Sequence, residues 1–99
     1  MSNFEEFSAR DARLIMLRGL HAQTDGRMNE KLLTALLETF GHHRSRDYVR
    51  TQMLKMKELG AVTIVEAGTV MIATITRAGI DHVERRSIIA GIDRPSPEA

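Results

Sequence analysis

Arg46 and Arg50 stand four residues apart in the run RSRDYVRTQMLKMKELG, and helical spacing puts both guanidinium groups on one face. An arginine placed in this way can offer paired N–H donors to the acceptor edge of a guanine in the major groove. Asp47 and Thr51 lie on the same outward side if Val49 and Met53 point inward. Asp47 can accept from a cytosine amino group or hold an arginine in place. Arg44, Lys55 and the Ser45 hydroxyl suit phosphate oxygens, and a helix N-terminus adds favourable partial charge there. The chemistry this set suits is non-covalent recognition of duplex DNA. It carries a condition: the two arginines must face solvent, and packing of them against the domain's own acids, or masking by a neighbouring subunit, removes it. Arginines on an exposed helix are, moreover, most often a solvated face.

The elements that must hold these side chains can be read from spacing and punctuation. Asn3 and Glu6 form a variant capping box for a first helix over about 3–21, with Phe4, Phe7, Leu14, Leu17 and Leu20 inward and Arg10, Arg13 and Arg18 elsewhere. Thr24-Asp25-Gly26 ends it. Asn29 caps a second helix bearing Leu32, Leu33, Leu36, Leu37 and Phe40, with Met28 as a staple on Leu33 and Gly41 as its left-handed stop. Ser45 caps the third helix, about 45–59, whose seam is Val49, Met53, Met56 and Leu59, and Gly60 stops it. Val62, Ile64, Val70, Ile72 and Ile75 then make a hairpin around Glu66-Ala67-Gly68, read as a three-residue loop with Gly68 left-handed. Thr76 caps a last helix, Arg77 to about Arg86, which Gly79 weakens. Residues 87–99 read as an arm or tail after a domain of 1–86. The fold class is α+β, in the order α-α-α-β-β-α of a winged helix with a short wing, and residues 29–60 form its helix-turn-helix.

Composition narrows the classes. Ninety-nine residues make one domain with a single modest core. Cysteine is absent, which removes disulfides and thiolate metal sites and fits a reducing cytoplasm. His21, His42, His43 and His82 show no metal-ligand spacing, so no metal and no cofactor are expected. A Gly-rich phosphate loop and a nucleophile elbow are both missing, and the chain reads as a non-enzyme. A net charge of +1 is low for a non-specific DNA binder, so any basic surface must come from uneven placement. The wing tip, with Glu66 and no cation, does not help.

The runs RDARLIMLRGL, MNEKLL, FGHHRSRDYVRTQM, LKMKELGAVTI, ATITRAGIDH and GIDRPSP together resemble the small winged-helix proteins of Mu-like phages and prophages, often grouped with ArsR-type regulators. The resemblance covers nearly the whole chain, and FGH before SRDYVRT and the closing RPSP are its most specific pieces. It implies a phage-encoded winged helix with a DNA-binding role, and Ser45, Arg46, Asp47, Val49, Arg50 and Thr51 match the recognition-helix pattern. Metal sensing does not carry over, because the cysteines are missing. The leading expectation is a transcriptional regulator in the bacterial cytoplasm, binding double-stranded DNA as a homodimer. Helix one, the last helix and the arm, with Ile80, Val83, Ile88, Ile89 and Ile92, are the expected dimer surface. The alternative is a protein-interaction module of phage development.

Overall fold

The computed structural model describes residues 3–96. Its elements run α1 (Asn3–Ala22), β1 (Arg27–Asn29), α2 (Glu30–Thr39), α3 (Arg46–Glu58), β2 (Val62–Ala67), β3 (Val70–Ile75) and α4 (Arg77–Val83). The result is an α+β domain of four helices and a three-stranded antiparallel sheet in the order β1-β3-β2, compatible with the winged-helix layout. No described helix is long and apolar enough to cross a membrane.

Side-chain chemistry at the ends explains the helix boundaries. Asn29, Ser45 and Thr76 are the N-caps of α2, α3 and α4, accepting from the N–H groups of Leu32, Tyr48 and Gly79. Each of these helices ends in the same double hydrogen bond. His42 and Gly41 donate back to Leu37 and Glu38, Ala61 and Gly60 to Met56 and Lys57, and Arg86 and Arg85 to Asp81 and His82. The left-handed residue is glycine in the first two cases, at φ 93 for Gly41 and 84 for Gly60, but it is Arg85, at φ 65, in the third. That third stop ends α4 at Val83, short of the expected Arg86.

A third strand was not legible. Arg27–Asn29 pairs with β3 in the register Arg27 to Thr74 and Asn29 to Ile72. Three residues between a turn and a helix cap are too few to show a period. The β2–β3 turn also differs. Ala67 pairs with Val70, so the loop is two residues, Gly68 and Thr69, with positive φ at Gly68 alone. This follows the II′ pattern, which needs the left-handed residue only in the first position and therefore tolerates threonine in the second.

The core lies where α1, α2 and α3 meet one face of the sheet. Met16, Leu17, Leu20, Leu33, Leu37, Val49, Met53, Met56 and Met71 fill it. Phe4, Phe7 and Phe40, expected inside, are exposed, and Arg13, expected outside, is buried. Arg13 donates from Nε to Gln52 at 2.8 Å and from a terminal nitrogen to the Gly91 carbonyl at 2.7 Å, with Glu6 at 3.3 Å. It joins α1, α3 and the C-terminal segment.

Residues 87–96 are no free arm. Ile92 is buried in the domain's own core and Ile89 packs against it, while Ile88 stays exposed and Ile80 and Val83 are half-buried. The Asp93 N–H donates to the Arg10 carbonyl. The buried His82 accepts from the Ile89 N–H at Nδ1 and donates from Nε2 to the Asp93 carbonyl. The boundary expected at residue 87 therefore falls inside a packed unit. Ile92, offered as a dimer contact, is spent on the monomer's own core.

Candidate functional site

Glu30, the first residue of α2, organises the face on which Arg46 and Arg50 lie. Its Oε2 accepts from Arg46 Nε at 3.2 Å and from an Arg46 terminal nitrogen at 2.8 Å. Its Oε1 accepts from Arg50 at 2.6 Å and from the backbone N–H of Met71 at 2.6 Å. Arg50 also donates to the Thr69 carbonyl in the hairpin turn at 3.2 Å. One carboxylate thus ties the start of α2 to α3 and β3, and Arg50 extends the tie to the turn. The Glu30 side chain is 2% exposed, whereas those of Arg46 and Arg50 are 47% and 33% exposed. Its cover is therefore two guanidinium groups rather than depth. Burial alone raises its pKa, but the Met71 N–H and the two arginines outweigh burial and hold Glu30 below the ordinary 4.5.

The condition set on the DNA reading is therefore not met. Arg46 and Arg50 are both bound to an acid of the same chain, although each keeps part of its guanidinium exposed. Sequence reasoning assigned Glu30 no role in the site. Its position beside the Asn29 cap gives the ordinary reason for an acid, attraction to the helix N-terminus, and hides the other.

The remaining expected residues divide in the same way. Ser45 is occupied as the N-cap, and the Thr51 hydroxyl donates to the Asp47 carbonyl of its own helix at 3.1 Å. The Arg44 guanidinium lies 4.4 Å from the centre of the Tyr48 ring, a cation–π contact. Tyr48 is half-buried, and burial pushes its phenol above the usual value. Asp47, Thr51, Leu54, Lys55 and Glu58 are exposed. The ridge running outward along α3 is therefore Asp47, Thr51, Leu54 and Glu58, two carboxylates and a leucine, with Lys55 at its flank. The ring of His42 pairs with Asp11 and that of His43 with Glu38. Among the described residues no three of His, Cys, Asp and Glu gather as metal ligands.

A second surface lies on the other side of the domain. The outward stripe of α1 carries Phe4, Phe7, Asp11, Ile15, Arg18 and Ala22, beside Leu36 and Phe40 of the α2 end. Between the two helices runs an open groove of about 680 Å³, lined mainly by apolar side chains. Gly19 forms part of its floor, where α1 and α2 approach so closely that any side chain would meet Leu36.

Comparison with known proteins finds two relatives. The chain is 37% identical over 89 residues to the uncharacterized protein gp26 of Escherichia phage Mu, covering 90% of this chain and 92% of gp26. It is 36% identical over 76 residues to an uncharacterized protein of Haemophilus influenzae, covering 76% of this chain and 74% of that protein. No family model and no solved structure matches.

Proposed function

The chain belongs to the family of protein gp26 of phage Mu, and we propose that it is a winged-helix, non-enzymatic docking module of a Mu-like phage. It acts in the host cytoplasm, and its α3 ridge meets a protein partner. The fold part of this reading rests on the element order, in which β1 supplies the strand a winged helix has between its first two helices. The functional part rests on one observation: the carboxylate of Glu30 holds Arg46 and Arg50, and the ridge they leave outward is Asp47, Thr51, Leu54 and Glu58. A phosphate backbone repels two carboxylates and gains nothing from a leucine, whereas a protein surface can use all four groups.

Duplex DNA is the second reading. It is favoured by the remaining exposure of the Arg46 guanidinium, 47%, and by Lys55 at the same helix. An arginine already oriented by a carboxylate loses little freedom on meeting a phosphate or a guanine. A photo-crosslinking side chain at position 54, in cells carrying the phage, separates the two. The docking reading expects a discrete protein adduct that Asp47→Lys weakens. A nucleic-acid adduct, together with salt-dependent retention on random duplex DNA at physiological salt, would overturn it in favour of DNA.

A further inference from the structure

We infer that the α1–α2 groove is the seat of a second copy of this chain, packed antiparallel across a two-fold axis that passes beside α1 at the level of Leu14 and Ile15. The face is not one a monomer gains by exposing: Phe4 is 69%, Phe7 58% and Phe40 62% exposed, and Ile15 and Leu36 lie half-open between them. Large side chains gathered on one side of a small domain mark an interaction surface.

The occupant follows from the pattern of charge along the stripe. Asp11 and Arg18 are its two charges, seven residues apart and on the same face. A two-fold axis midway between them sets Asp11 of one copy against Arg18 of the other, twice. The same operation sets Phe7 against Ala22. That end of the groove is made of Ala22, Gly19 and Leu36, where two small residues leave room for a ring. Ile15 falls at the axis, against Leu14 and Ile15 of the second copy. From Phe7 to Ala22 the stripe thus meets chemically fitting members of itself, which is the requirement of an isologous interface. Arg18 has no acidic partner among the described residues, and Asp11 uses Oδ2 for His42 at 2.8 Å, so Oδ1 remains for the second copy. The pairing leaves α3 on the outside, so it stands independently of what α3 binds.

Charge reversal tests this on the full chain by sedimentation equilibrium. Wild type is expected to be a dimer at micromolar concentration. Asp11→Arg and Arg18→Asp each turn both cross-pairs repulsive and should weaken dimerisation about a hundredfold. Mixing the two single variants makes a heterodimer in which both cross-pairs are again opposite in sign, and the dimer should return. The double variant Asp11→Arg/Arg18→Asp should also dimerise. Unchanged far-ultraviolet circular dichroism controls for folding, since Asp11→Arg also loses the His42 contact. A wild-type monomer at 0.1 mM or so overturns the inference. So does a wild-type dimer indifferent to both reversals, or single variants that stay monomeric when mixed.

Discussion

Replacing Glu30 separates the structural role of the Arg46–Glu30–Arg50 cluster from any role in ligand binding. In Glu30→Ala the buried Met71 N–H loses the acceptor it has at 2.6 Å, a loss of about 1–3 kcal/mol. The two ion pairs add less than a deeply buried pair would, because both arginines are open enough to be solvated again. At surface values they contribute about 0.2–1 kcal/mol each. The sum, about 1.5–5 kcal/mol, is a large share of the roughly 5–15 kcal/mol expected for a domain of this size. Glu30→Gln keeps a carbonyl oxygen for Met71 and loses only the charge, so it should cost about half as much. Urea unfolding followed by circular dichroism at pH 7 reads both. The pH dependence supplies a second readout. The folded-state pKa of Glu30 lies below its unfolded value, so its stabilisation is complete above the unfolded value and is lost as pH falls through the folded one. The gap between wild type and Glu30→Gln should therefore close as pH falls well below 4.5. A cost below about 0.5 kcal/mol for Glu30→Ala, within the ordinary scatter of surface substitutions, would refute the reasoning. So would a gap that widens with acid.

Three further substitutions probe the fold. Gly79→Ala should destabilise by about 1–3 kcal/mol in thermal unfolding, although helix propensity alone favours alanine by up to ~1 kcal/mol. The added methyl would press on the Ala61 carbonyl and lie 2.8 Å from Ile75 Cγ1. Arg85→Gly should raise stability by about 0.5–1 kcal/mol, because Arg85 holds a left-handed φ of 65 at the stop of α4; a lowered midpoint would show that the arginine side chain matters more than its backbone strain. Ile92→Ala should cost about 2–5 kcal/mol, as for a core residue, and faster amide exchange in residues 89–93 should accompany the loss.

Local signals carried the fold a long way. The caps Asn29, Ser45 and Thr76, the stops Gly41 and Gly60, the positive φ of Gly68 and the seam Val49, Met53 and Met56 were all legible. Each is a decision made within four or five residues, by a side chain that meets its own backbone or a neighbouring helical turn. The failures are long-range. Nothing near Arg13 announces Gln52 and Gly91, and nothing in RMN announces a strand whose partner lies more than forty residues on. Gly79 read as a weak point in a helix because its reason, the Ala61 carbonyl against it, belongs to another element. The site suffered most. Helical spacing placed Arg46 and Arg50 on one face correctly, but it could not show that the face turns toward Glu30. Likewise the isoleucines of the C-terminal segment looked like an unmet need for a partner because the hook that draws them home, His82, is an isolated histidine in sequence.

The docking of that segment bears on how the protein is made. Arg13 reaches the Gly91 carbonyl and Arg10 receives the Asp93 N–H, so α1 is completed by residues that are synthesised long after it. Until they emerge, the nascent chain must keep α1 with a buried cation lacking one of its acceptors and a core open where Ile92 will sit. Premature termination anywhere before Asp93 should therefore yield a product that chaperones hold and proteases clear, not a smaller working domain.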